Sequence, residues 1–196
     1  PPYAYEWNTG ASTAVATGLG PGNYTVLVSD LNDCQIALST EITEPPEMVF
    51  DTAYVDTLRC FGDSDAGAGV AVSGGVPPYN FSWSNGATDS LVTGLAAGEY
   101  VIEVVDDNGC LLPDTLTVEQ PDSITVELID SEDAYCDLPN GFLLVGASGG
   151  AGDYEYFWNT DPPQTGPLAS DLFGEPLGGP YEVEVTDANG CTNSYS

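Results

Sequence analysis

Three tryptophans, Trp7, Trp83 and Trp158, fall 76 and 75 residues apart, and each closes a copy of one short segment. Pro1-Pro2-Tyr3-Ala4-Tyr5-Glu6-Trp7 is matched by Pro77-Pro78-Tyr79-Asn80-Phe81-Ser82-Trp83 and, more loosely, by Gly152-Asp153-Tyr154-Glu155-Tyr156-Phe157-Trp158. A second segment recurs alongside it, its cysteines 76 and then 81 residues apart: Gly18 to Cys34 (GLGPGNYTVLVSDLNDC), Gly94 to Cys110 (GLAAGEYVIEVVDDNGC) and Pro176 to Cys191 (PLGGPYEVEVTDANGC). Repetition at a fixed period constrains the fold more than any single motif, because every copy must bury the same apolar positions in the same way. Glu44-Pro45-Pro46 and Glu119-Gln120-Pro121 mark the seams. The chain therefore reads as the back half of one repeat (1–46), a complete repeat (47–121) and a repeat lacking all or part of its last strand (122–196). Opening at Pro1, with Met48 its only methionine, it reads as a fragment of a longer polypeptide.

Within each repeat the pattern is β. Tyr100-Val101-Ile102-Glu103-Val104-Val105 and Tyr181-Glu182-Val183-Glu184-Val185 alternate with period two, as half-buried strands do. Asp107-Asn108-Gly109 and Ala188-Asn189-Gly190 are hairpin signals, since Asn and Gly tolerate positive φ. No amphipathic helical stretch stands out. Six or seven short strands per repeat, with turns every 8–12 residues, predict tandem immunoglobulin-like antiparallel β-sandwiches. The run Leu95-x-x-Gly98-x-Tyr100 resembles the tyrosine corner of such sandwiches, which gives Tyr24, Tyr100 and Tyr181 a hydroxyl bond to upstream backbone. Trp7, Trp83 and Trp158 are expected in the core, with sugar stacking as their alternative role.

Each full repeat holds one cysteine after its first strand and one in its last hairpin. That layout predicts Cys60–Cys110 and Cys136–Cys191, each closing a loop of 50 to 55 residues, with Cys34 paired to a cysteine upstream of Pro1. Such bridges stabilise by roughly 2–4 kcal/mol and imply an oxidising compartment.

Charge and residue inventory exclude whole classes of function. There are 31 acidic residues, a single Lys or Arg (Arg59), no His and a net charge of −30. Such a chain repels nucleic acid and anionic lipid, and no run approaches the length of a membrane span. Without His or Lys, and with cysteines committed to bridges, catalysis lacks its usual groups, and no cofactor is required. Calcium is the one candidate cofactor. A Cys60–Cys110 bridge would gather Asp63 and Asp65 with Asp106 and Asp107 at one end of a sandwich, and Asp137 and Asp187 take the equivalent places in the third repeat. Ordinary turn chemistry accounts for the same residues.

The full order is Cys, a Gly/Asp loop, Gly-Gly, Pro-Pro-Tyr-x-Phe/Tyr-x-Trp, Gly-Leu-x-x-Gly-x-Tyr, then Val-x-Asp-x-Asn-Gly-Cys. It resembles the SprB repeat of large Bacteroidetes surface adhesins. The resemblance is close in the first two copies and looser in the third, where Gly152-Asp153 replaces Pro-Pro. It implies export by the type IX secretion system, an extracellular or cell-surface location, and repeats that serve as a stalk for gliding or attachment. The expected partners are neighbouring repeats and other copies in a filament, with ligands bound by other regions. A static fibre or surface layer and a carbohydrate-binding module of a secreted enzyme are the competing readings. The resemblance also implies O-glycosylation at Asp-Ser/Thr motifs, of which Thr52, Thr57, Ser90, Thr115 and Ser123 are candidates.

Overall fold

The computed structural model describes residues 2–174 and 177–196; Pro1 and Pro176, which open two of the repeat segments, lie outside the described residues. Among the described residues there are sixteen strands and no helix. The first three are β1 (Ala4–Trp7), β2 (Gly22–Ser29) and β3 (Gln35–Ile42), which form one sheet in the order β1-β2-β3. Next come β4 (Val49–Val55), β5 (Ala66–Ser73), β6 (Asn80–Trp83), β7 (Leu91–Leu95), β8 (Gly98–Val105) and β9 (Leu111–Val118). They split into sheets β4-β5-β7 and β6-β8-β9. The last seven are β10 (Thr125–Glu132), β11 (Gly141–Ser148), β12 (Glu155–Trp158), β13 (Gln164–Thr165), β14 (Leu168–Leu172), β15 (Val183–Thr186) and β16 (Thr192–Tyr195). Their sheets are β10-β11-β14 and β13-β12-β15-β16. All pairings are antiparallel, and the two-sheet order is that of an immunoglobulin-like sandwich.

Alternation explains the layers. In β8, Ile102 and Val104 are fully buried while Val101 and Glu103 face outward. They meet Trp83, Leu116 and Val118 of their own sheet and Ala68, Val70, Val92 and Leu95 of the other. The third sandwich repeats this with Trp158, Val183 and Val185 against Val145, Ala169 and Leu172. Each large aliphatic side chain removed from water in this way stabilises by about 1.5–3 kcal/mol. The first sheet has no covering sheet among the described residues, so only Val26 is buried there, and Ile36 and Leu38 lie exposed.

One crossover decides where the loops fall. In register, Leu95 pairs with Ala66 and Leu91 with Gly69, so β7 runs opposite to β5 and in the same direction as β6. Residues 84–90 return along the side of the sandwich between these two strands. The return restores the pole from which β6 set out, and β8 and β9 then turn at the pole where β4 begins. The hairpin at 106–110 accordingly meets Val76, through the bond from Asp107 N–H to the Val76 carbonyl at 2.8 Å. The loop between β4 and β5 lies at the far pole, where the Leu58 N–H bonds the Glu119 carbonyl at 2.9 Å.

Candidate functional site

Every repeat carries the same hairpin, Asp-x-x-x-Cys, at Asp30–Cys34, Asp106–Cys110 and Asp187–Cys191. The aspartate Oδ1 accepts the backbone N–H of the cysteine at 2.9, 2.8 and 2.9 Å respectively. In the two complete poles Oδ2 reaches further, to the N–H of Val76 at 2.9 Å and of Ala151 at 2.8 Å. One carboxylate thus ties the last hairpin to the Gly-Gly turn that precedes β6 or β12. Asp106 is 3% and Asp187 5% exposed, so these backbone donors take the place of water.

The Val76 N–H, ahead of those of Cys110 and Asn108, holds the Asp106 carboxyl below its ordinary value against the opposing effect of burial. For Asp187 the Ala151 N–H leads, followed by those of Cys191, Asn189 and Gly190, again against burial. A carboxyl whose folded pKa is depressed contributes stability above the unfolded value and loses it as pH falls through the folded one. The clamp is therefore expected to weaken below about pH 4. Acid also relieves repulsion among the 31 carboxylates, so the informative quantity is a difference. Asp187→Asn is expected to be less stable than the parent chain at neutral pH, with the gap narrowing as urea titrations are repeated at progressively lower pH.

The hairpin of the third sandwich also meets the second sandwich. Cys191 is bonded to Cys60, with Cα atoms 5.6 Å apart. Beside that bond, Arg59 Nη2 donates to the Asn189 carbonyl at 2.8 Å, and Asn189 Nδ2 donates to the Arg59 carbonyl at 2.9 Å. The connecting segment is held from both sides. Gly62 N–H bonds Gln120 Oε1 at 2.9 Å, Gly150 N–H bonds the Asp122 carbonyl at 2.9 Å, and Asn193 Nδ2 bonds the Ile124 carbonyl at 2.7 Å. A groove lined by Cys60, Phe61, Asp122, Ile124, Asp187 and Asn193 runs along this junction.

This corrects the cysteine pairing. Cys60–Cys110 and Cys136–Cys191 are not formed, and Cys34, Cys110 and Cys136 are free and exposed. Strict up-and-down alternation of six strands would put the β4–β5 loop and the β8–β9 hairpin at one end. The return at 84–90 puts them at opposite poles, so the cysteines of one sandwich cannot meet, whereas those of successive sandwiches do. The calcium arrangement falls with the pairing. Asp63 and Asp65 lie at the far pole from Asp106 and Asp107, as Asp137 does from Asp187. Asp63 Oδ2 accepts the Cys60 N–H at 3.0 Å, and no group of three or more potential metal-ligating His, Cys, Asp or Glu side chains occurs among the described residues.

The aromatic residues divide by environment. Trp83 and Trp158 are 3% and 1% exposed, and their Nε1 groups donate to the carbonyls of Asp89 at 2.8 Å and Gly166 at 2.9 Å. Trp7, on the uncovered sheet, is half-buried and bonds the Thr13 carbonyl at 2.9 Å. Tyr24 and Tyr100 bond the carbonyls four residues upstream, Gly20 at 2.8 Å and Ala96 at 3.0 Å. Tyr181 reaches eight residues back to Phe173 at 2.9 Å. The hydroxyl-bearing residues Thr52, Thr57, Ser90, Thr115 and Ser123 are all exposed.

Arg59 and Asn189 were the functional residues that sequence reasoning missed. Their one signal was the position of the sole cation of an acidic chain directly before a cysteine.

Residues 55–88 match a family model described as the SprB repeat. No curated protein matches the chain. Among solved structures it is similar to the N-terminal eight Ig domains of Down syndrome cell adhesion molecule isoform 1.30.30, at 14% identity over 99% of this chain and 32% of that chain, with a TM-score of 0.40. The chain thus spans about a third of that structure. It is also similar to a three-Ig-domain titin structure, at 9% identity over 98% of this chain and 86% of that chain, with a TM-score of 0.43. A third match is to the three N-terminal domains of the highly immunogenic outer capsid protein Hoc of bacteriophage RB49, at 15% identity over 99% and 81%, with a TM-score of 0.43.

Proposed function

This chain carries an SprB repeat, and we propose that its sandwiches are spacer units in the stalk of a secreted bacterial cell-surface adhesin. The observation that supports this best is the junction, where a disulfide, a reciprocal Arg59–Asn189 pair and a bonded connector fix one sandwich against the next. A unit whose task is to hold something at a distance needs stiff joints, and a disulfide needs the oxidising exterior. The net charge of −30 keeps neighbouring stalks apart and soluble. The exposed Asp-Ser/Thr hydroxyls are accessible to glycan attachment. The open face of the first sheet, with Tyr5, Trp7 and Val28, suits the missing sheet of its own sandwich, supplied by the same polypeptide or by another copy. The burial of Trp83 and Trp158 removes them as sugar-stacking platforms and weighs against a carbohydrate-binding module.

Antibody raised to this segment and applied to intact cells of the source organism tests the location. Surface label is expected, and label that travels along the cell would place the stalk in a gliding adhesin. Label reached only after lysis would sink the surface reading.

Stiffness has its own test. An intra-sandwich bridge would lose roughly 2–4 kcal/mol on reduction. Here the bond closes a loop that runs through both sandwiches, so it restrains the joint in the folded chain and restrains either sandwich once unfolded. Reduction is expected to broaden the distribution of particle dimensions in small-angle scattering while both sandwiches stay folded, with a fall in their unfolding midpoints no larger than loop closure supplies. A large fall in either midpoint with unchanged dimensions would mean that the bond serves the fold instead.

A further inference from the structure

We propose that the bond between Cys60 and Cys191 is a rule of the repeat: the loop cysteine after a sandwich's first strand bonds the hairpin cysteine of the sandwich that follows. Under this rule Cys136 is the open half of a further joint, and its partner is the hairpin cysteine of another sandwich of the same type. Cys34 and Cys110 are hairpin halves that take loop cysteines of sandwiches preceding their own. The proposal extends the spacer reading to the chemistry of the joints, although a spacer with unlinked joints would remain a spacer.

Three observations carry it. Cys136 occupies in the third sandwich the place that Cys60 occupies in the second, between the strand that opens the first sheet and its central strand. The equivalent position is therefore already bonded once within this molecule. Next, the receiving element is preformed in every copy. The hairpins at Asp30–Cys34 and Asp106–Cys110 have the same aspartate-to-cysteine bonds as the hairpin that receives Cys60, and Asp30 accepts the Asn32 N–H at 2.8 Å as Asp187 accepts the Asn189 N–H at 2.9 Å. Finally, both free halves are dressed for contact. Cys34, Cys110 and Cys136 are exposed, and Cys136 is flanked by Tyr135 and Leu138, 58% and 55% exposed. Phe61, beside Cys60, lines the groove of the existing junction. Apolar side chains left in water beside a reactive thiol suit a second sandwich seated on that pole.

In a second copy of this chain the reachable hairpin is that of Cys34. It stands at the end of the first sheet remote from the seam, since β3 runs from Gln35 beside it to Ile42 at the seam. Cys110, by contrast, lies at the pole where the seam at Pro46 enters the second sandwich, marked by the bonds from Gly75 N–H to the Pro46 carbonyl at 2.7 Å and from Asp107 N–H to the Val76 carbonyl at 2.8 Å. Formation of the bond is thiol–disulfide exchange. Two thiols lose two electrons and two protons, and an oxidising disulfide such as oxidised glutathione takes them up as two thiols.

The test uses the full chain, oxidised in a glutathione buffer and mapped under non-reducing conditions by mass spectrometry after digestion at acidic residues. Cys60–Cys191 is expected within each copy, and Cys136–Cys34 as the principal linkage between copies. Linked dimers should be lost in Cys136→Ser and in Cys34→Ser and retained in Cys110→Ser. Predominant Cys136–Cys136 linkage, dimers that survive Cys34→Ser, or Cys136 thiols that stay unlinked would each overturn the rule. Such a failure with Cys60–Cys191 intact leaves the spacer reading standing, because that reading fails only on its own cellular test.

Discussion

Replacing Trp158 with alanine is expected to remove about 3–5 kcal/mol from the third sandwich while leaving the unfolding of the second in place. The indole is 1% exposed and belongs to the core formed with Val145, Ala169, Leu172, Val183 and Val185, drawn from both sheets. Its Nε1 also satisfies the Gly166 carbonyl at 2.9 Å, in the turn between β13 and β14. Truncation therefore leaves a cavity and an unpaired acceptor together. Domains of this size hold only about 5–15 kcal/mol in total, so the third sandwich would lose much of its margin. Urea titration should show two transitions, with the one at lower denaturant belonging to the altered sandwich. A loss below about 1 kcal/mol would mean that the side chain is not the centre of this core. Trp7→Ala should cost much less, because among the described residues no second sheet closes over that ring.

The second large effect is expected at Gly150. Its φ of +55° lies in the left-handed region, and an added methyl would strike the Asp187 carboxylate and the Ile124 side chain. Gly150→Ala therefore combines backbone strain, about 1–3 kcal/mol, with overpacking of similar size. The expected loss is roughly 2–6 kcal/mol from the third sandwich. Gly75, at φ +59°, meets Asp106 and Met48 in the same way, so Gly75→Ala should repeat the result in the second sandwich. Gly152 is the control. Its φ of +76° carries the strain, but nothing lies within 4 Å of an added methyl, so Gly152→Ala should cost only the strain. Equal losses at Gly150 and Gly152 would show that the aspartate clamp does not depend on the bare backbone of the turn.

These two sites mark what could be seen in the sequence. Tyr100–Val105 alternates because one side of β8 meets the other sheet and the other side meets water, so period two was enough to predict the strand. The recurrence of Trp83 as Trp158 carried the core with it, since both indoles fill the same place between two sheets. The Gly-Gly pairs were legible as part of the repeated order, but not as the seat of a buried carboxylate. Asp106 and Asp187 read as calcium ligands or turn residues with free oxygens, and only the fold shows their oxygens occupied by N–H donors.

The cysteine partners were out of reach for a different reason. Periodicity reports which residues face inward, but not how many times the chain changes direction between two loops. The β6–β7 return adds one reversal without adding a strand to the second sandwich, and in the third the same return contains the two-residue strand β13. Pairing the two cysteines of each repeat therefore sent Cys60 to the wrong hairpin. Arg59 and Asn189 were hidden likewise, because their contact spans 130 residues and depends on which poles adjoin.

The bond between Cys60 and Cys191 closes a covalent ring around residues 61–190. Tension applied at the two chain ends passes along the backbone to Cys60, crosses the sulfur bridge and continues from Cys191. Strands β5 to β15 lie inside the ring and carry no load along their backbone, whether folded or not. With a sequence separation of 131 residues, the ring withholds roughly 450 Å of contour at about 3.4 Å per extended residue. Most of the second and third sandwiches could melt under strain without lengthening the tether.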